Sequence, residues 1–258
     1  MNFSSLENVL WLSTFVGQVI LLMVLLFRRR WSGFPFFVMF IGLSCIQDIG
    51  GFVAYSIGSR QLYNLVYWGG FVLITTLKIA LVFEIARIVL RATGTWVRDA
   101  RLTFFLVGLV GALAAFGLAY ALHPVGSTFL VSLEIRVQLF ASLLFCEIFL
   151  AMMFAANRLG LVWRNHVMGL GQGLGVWALI SVGVDAAHGY FGVNHSFSTL
   201  SNVQALTFLT AVIYWTATFW FEEPERKPLS PEMQKYLVAL HQKVQYDATQ
   251  VSSMQNFR

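Results

Sequence analysis

The chain is predicted to be an all-α polytopic membrane protein, a bundle of seven transmembrane helices, and three observations lead there. It is 58% hydrophobic and only 11% charged over 258 residues, whereas soluble domains carry roughly 25% charged residues. Its apolar stretches recur in lengths of about 20 residues, the length needed to cross a bilayer core. Most of its basic residues fall in the short breaks between those stretches or beyond the last of them.

Taken in order, the expected spans are residues 8–27, 34–56, 63–89, 103–122, 127–156, 166–190 and 200–221. The first run ends in Arg28, Arg29 and Arg30 and follows MNFSSLE, which lacks a basic leader, so it is expected to stay as a span rather than be cleaved. Pro35 opens the second, where a missing N–H does no harm. The fifth, STFLVSLEIRVQLFASLLFCEIFLAMMFAA, carries Glu134, Arg136 and Glu147. At about 100° per residue, Arg136 and Glu147 lie within about 20° of one another and Glu134 about 160° from Arg136. With two polar faces, this helix is expected to be interior. The sixth holds Gly169, Gly171, Gly173 and Gly175, which suit close helix approach.

Counting basic residues orients the bundle. Fourteen of the seventeen lie at or beyond one set of span ends or in the tail, Arg60 alone lies on the other side, and Lys78 and Arg136 lie within spans. The positive-inside rule then puts the N-terminus outside and the C-terminus in the cytoplasm, as expected of a multi-pass protein of a bacterial inner (plasma) membrane. The formal charge of +5 is accounted for by this placement and gives no reason to expect a nucleic-acid partner. Residues 1–222 form the bundle and 223–258 a cytoplasmic tail. In the tail Ser230 suits an N-cap and Pro231 the first helical position. Met233, Tyr236, Leu237, Leu240 and Val244 fall on one face. A short amphipathic helix, about 231–246, is therefore expected to lie on the bilayer or to contact a cytoplasmic or membrane protein partner.

The intramembrane charges carry the functional reading, because an ionised group at membrane depth costs at least about 2.5 kcal/mol and is usually given a partner or water. Counted inward from the outer span ends at about 1.5 Å per residue, Asp48 and Arg136 lie about 13 Å deep, Glu134 about 10 Å, and Asp185 and His188 within about 8 Å. Lys78, Glu147, Glu84 and Arg87 lie on the cytoplasmic side of centre. That inner layer balances if Lys78 pairs with Glu147 and Glu84 with Arg87 at i+3. The outer layer does not: Asp48, Glu134 and Asp185 face Arg136 alone, so the excess must be protonated, hydrated, or neutralised by a cation or by His188. Asp48, Glu134, Arg136, Asp185 and His188 are the candidate ligand-binding residues.

Asp185 and His188 share a helix face at i, i+3, but no third ligand is defined and no metal site is expected. No histidine lies at mid-depth to ligate haem, and no cofactor is expected. Cys45 and Cys146 both sit in apolar spans and read as packing residues. No nucleophile elbow, zinc-protease pair, phosphate loop or nucleotide fingerprint occurs in suitable context, so no catalytic residue is named and no enzymatic activity is expected.

Seven spans with the N-terminus outside resemble the topology of heptahelical receptors and of the membrane input regions of bacterial sensor proteins. Glu84-Ile85-Ala86-Arg87 is similar to the acidic-Arg motif of G-protein-coupled receptors. The seventh span has neither an Asn-Pro motif nor the lysine at which a rhodopsin would hold retinal, so the likeness is one of topology. The expected function is that of a non-enzymatic sensor or partner-binding membrane protein with an outer polar site for a small or cationic ligand or protons. The alternatives are a transporter or channel for a cation or small organic solute, and a structural subunit of a membrane complex.

Overall fold

A computed structural model describes residues 5–92, 98–121, 129–159, 166–191 and 197–222. They form seven α-helices: α1 Ser5–Phe27, α2 Pro35–Ile57, α3 Arg60–Ala92, α4 Arg98–Ala121, α5 Phe129–Leu159, α6 His166–Phe191 and α7 Phe197–Trp220, with one 3-10 turn, Arg30–Ser32, between α1 and α2. Five of these, α1, α2, α5, α6 and α7, are long and apolar enough to cross a membrane. The protein is therefore an all-helical, multi-pass membrane type. The expected tail helix, about 231–246, lies outside the described residues.

Packing closes six helices into a ring in the order α1, α2, α3, α5, α6, α7 and back to α1, with α3 also touching α6. Helix α4 packs on α5. The most enclosed helix is α6, with 61% of its span residues buried against 22–28% in the other four. Helix α5, expected to be interior, does pack on three helices, α3, α4 and α6, but is less enclosed than α6. Phe129, Leu130, Leu133 and Leu150 of α5 are exposed, and its polar residues are turned toward α3 and α4 rather than toward a centre.

The core explains why α6 holds this position. Leu170, Leu174 and Ala178 of α6 pack with Phe37 and Ile41 of α2, Leu81 and Ile85 of α3, Phe145 of α5, and Trp215 and Phe219 of α7. Trp215 is fully buried, meets the edge of Phe37 at 5.1 Å, and donates its indole N–H to the Leu170 carbonyl at 3.3 Å. Gly169 and Gly173 lie directly against Thr218 and Trp215, and Gly175 against Phe149. The glycine run is thus helical throughout and serves close approach.

Two helix ends are set by specific groups. Helix α2 stops at Gly58, whose φ of 71° places it in the left-handed region and whose N–H reaches the Tyr55 carbonyl at 3.1 Å; a glycine takes this conformation without a Cβ clash. Its other end begins at Pro35, and the free N–H groups of Phe36 and Phe37 donate to the two carboxyl oxygens of Glu84 on α3 at 3.1 and 3.2 Å. The expected Glu84–Arg87 pair is not formed: the buried Glu84 carboxyl turns to α2, and Arg87 is exposed.

At the end of the bundle that holds Pro35, Arg28 lies 3.4 Å from Glu222 and 5.4 Å from the Trp220 ring centre, tying the end of α1 to that of α7. Both partners in the ion pair are exposed to solvent or headgroups. Arg28→Ala is therefore expected to lower stability by less than about 1 kcal/mol, measured as a small fall in the thermal unfolding midpoint.

Candidate functional site

The candidate site lies where α3, α5 and α6 meet, running from the ends of α5 and α6 that hold Phe129 and Phe191 to the middle of α3 and α6. On α3, Tyr67 and Lys78 are eleven residues apart, which puts them within about 20° of the same helix face. Tyr67 donates its hydroxyl proton to Glu134 of α5 at 2.5 Å, and Gln138, one turn further along α5, reaches the same carboxyl oxygen at 3.5 Å. Lys78 extends its ammonium over the ring of Trp177 on α6, 4.8 Å from the centroid. Asp185, two turns beyond Trp177 on α6, lies within electrostatic range of both Lys78 and Glu134.

These groups are enclosed unequally. Asp185 and Trp177 are 6% and 8% exposed, whereas Lys78 and Glu134 are half-buried. Among the described residues, the Oδ2 atom of Asp185 and the indole N–H of Trp177 are buried without a hydrogen-bond partner. Among the same residues, Lys78 has its cation–π contact and its electrostatic neighbour Asp185, but no ion pair at contact distance. A buried polar atom left unbonded costs about 1–3 kcal/mol. Two such atoms on one helix, one of them on the ring that holds the Lys78 ammonium, are a chemical demand that a bound molecule or water would meet.

Of the residues named from sequence, Glu134 and Asp185 are brought together here. His188 is buried one turn beyond Asp185 on the same helix. Asp48 is not part of the group: it is half-buried on α2 and accepts a hydrogen bond from Trp11 of α1. Arg136 points the other way, with its guanidinium 5.5 Å from the Tyr120 ring of α4. The inner layer rearranges as well. Glu147 lies against Gly111 of α4, and Lys78 does not pair with it but lies within electrostatic range of Asp185. The physical reason is rotational: Glu147 faces the α4 side of α5, while the Lys78 stem reaches along the α3–α6 groove.

Sequence reasoning does not single out Tyr67 or Trp177. The signal for Tyr67 is its placement on the Lys78 face, and for Trp177 its spacing of four and eight residues from Ser181 and Asp185. Ser181 is itself buried and accepts a hydrogen bond from Gln204 of α7 at 3.1 Å, which continues the polar face of α6 toward α7.

Among the described residues, no three His, Cys, Asp or Glu side chains converge as metal ligands. Cys45 and Cys146 are both free thiols. The chemistry available is therefore that of two carboxyls, one ammonium, a phenol and an indole, which can bind charge and hydrogen-bonding groups. No protein-family model, curated protein or solved structure matches the chain.

Proposed function

We propose that the protein is a non-enzymatic heptahelical sensor or partner-binding membrane protein whose outer-half polar site receives a small or cationic ligand or protons. In this reading all seven helices span a bacterial plasma membrane, with the N-terminus outside and the tail in the cytoplasm, where the tail helix contacts a protein partner or the bilayer. The fourteen-to-one bias of basic residues supports the orientation. With that orientation, Glu134 and Asp185 lie toward the outer side and Lys78 and Trp177 near the middle of their helices.

The observation that carries the proposal is Asp185. It is more than nine-tenths buried, has an oxygen without a hydrogen-bond partner among the described residues, and shares its surroundings with a second carboxyl, Glu134, and a single ammonium, Lys78. Two carboxyls against one fixed cation favour a ligand of positive charge or protons.

The test is thermal unfolding of the purified full-length protein with and without propylamine or sodium, for the wild type and for Glu134→Gln/Asp185→Asn. The wild type is expected to gain about 2–4 °C for each kcal/mol of binding stabilisation, and the double variant to gain nothing. A double variant that kept the whole shift would rule out this site. Flux of the same cation into liposomes carrying the protein would move the assignment to a transporter. Co-purification of fixed partners without any ligand response would move it to a subunit of a complex.

A further inference from the structure

We infer that the site takes a small zwitterion, an amine and a carboxylate joined by a short chain, with its ammonium at Asp185 and Glu134 and its carboxylate at Lys78 and the Trp177 indole N–H. The inference rests on the reading of the α3, α5 and α6 surface as a ligand site and goes beyond it by naming the ligand class.

Two sets of unsatisfied groups of opposite kind lie on that surface. Asp185 Oδ2 is an acceptor without a donor among the described residues. Trp177 Nε1 is a donor without an acceptor among them, and the Lys78 ammonium lies over the face of the same indole. A simple cation would satisfy Asp185 and leave both donors bare. A simple anion would satisfy the donors and leave Asp185 bare, next to Glu134. One molecule carrying a donor cation and an acceptor anion satisfies all of them, and buried donors and acceptors are paired in the great majority of cases.

Spacing and charge narrow the class further. Trp177 and Asp185 are eight residues apart on one helix, so their Cα atoms are about 12 Å apart along its axis and about 80° apart around it. Spacing of two helical turns between the two ends keeps the charged groups of the ligand several ångströms apart rather than adjacent. That separation suits an ω-amino acid of a few carbons better than an α-amino acid, whose charges are adjacent. The arrangement is also ordered along α6. The acidic groups stand toward Phe191 and the donors deeper in, so an ω-amino acid would lie along the α3–α6 groove with its carboxylate inward. Tyr67 and Gln138 fix the Glu134 carboxyl from the other side, leaving its second oxygen for the ammonium.

The experiment uses the full-length protein in lipid nanodiscs, with γ-aminobutyrate as the zwitterion, propylamine as the matched cation and butyrate as the matched anion. Thermal unfolding and titration calorimetry are read for the wild type and for Trp177→Phe, which keeps an aromatic ring near Lys78 and removes the indole N–H together with the five-membered ring that carries it. Saturating γ-aminobutyrate is expected to raise the unfolding midpoint by about 3 °C or more, with a third of that or less from either mono-charged probe. Trp177→Phe is expected to weaken γ-aminobutyrate binding about tenfold, the loss of one hydrogen bond to a charged group. A propylamine response equal to that of γ-aminobutyrate would overturn the zwitterion and leave the cation site standing. No response to any probe would remove both. An unchanged γ-aminobutyrate Kd in Trp177→Phe would also overturn the inference, because the carboxylate would then be held elsewhere.

Discussion

Replacing Gly173 by alanine is expected to lower the stability of the protein by about 3 kcal/mol, seen as a fall of roughly 6–12 °C in the unfolding midpoint. A Cβ at this position would lie inside van der Waals contact of Nε1, Cε2 and Cδ1 of Trp215. That indole cannot swing aside, because it is fully buried, packs between Phe37 at 5.1 Å and Phe208 at 6.3 Å, and is bonded to the Leu170 carbonyl. Either α7 moves away from α6, opening the core, or the indole shifts and gives up its hydrogen bond. Overpacking costs about 1–3 kcal/mol and loss of the bond about 1 more. Gly183 on the same helix is the control. It is exposed, and a Cβ added there would meet nothing within 4 Å, so Gly183→Ala is expected to be neutral or slightly stabilising through helix propensity. Equal losses at the two positions would show that the α6–α7 contact does not set the cost.

The same contrast between helix and contact separates what is legible in the sequence from what is not. Composition and span length locate α2, α6 and α7 to within a few residues, since Pro35, Gly58 and the hydropathy edges mark real ends. Helix α3 runs further than its expected span of 63–89, from Arg60 to Ala92, because a helix continues past the apolar stretch that hydropathy registers. Position along each axis is partly legible: counting residues puts Glu134 and Asp185 in one layer, but it puts Lys78 in the other, although Lys78 lies within electrostatic range of Asp185. Rotation about the axis is not. Periodicity shows that Glu147 and Arg136 share a side of α5 but does not say that α4 covers that side. It also cannot show that the ring passes from α3 to α5 and leaves α4 outside. Depth alone pairs Lys78 with Glu147, whereas its long stem and the enclosed face of α6 direct it to Trp177 and Asp185. Asp48 departs for the same reason: its depth matches the site, but its side chain turns to Trp11.

Glu84→Ala is expected to cost about 3 kcal/mol or more, and Glu84→Gln roughly half as much. The four N–H groups at a helix start have no partner within the helix. In α2, Pro35 removes one of them, and Glu84 accepts those of Phe36 and Phe37 with one carboxyl oxygen each. Hydrogen bonds to a charged group contribute about 1.5–3 kcal/mol each, and a carboxylate at a helix N-terminus adds a favourable interaction with the dipole. Alanine leaves both donors unpaired beside Phe37, which is fully buried. Glutamine keeps one acceptor oxygen and loses the charge. Arg87→Ala separates this arrangement from a Glu84–Arg87 ion pair on α3. Arg87 is exposed and Glu84 faces α2, so removing the guanidinium is expected to change stability by no more than about 0.5 kcal/mol. If Arg87→Ala instead cost as much as Glu84→Ala in thermal unfolding, the carboxyl would be held by the arginine and α2 would start without its cross-helix cap.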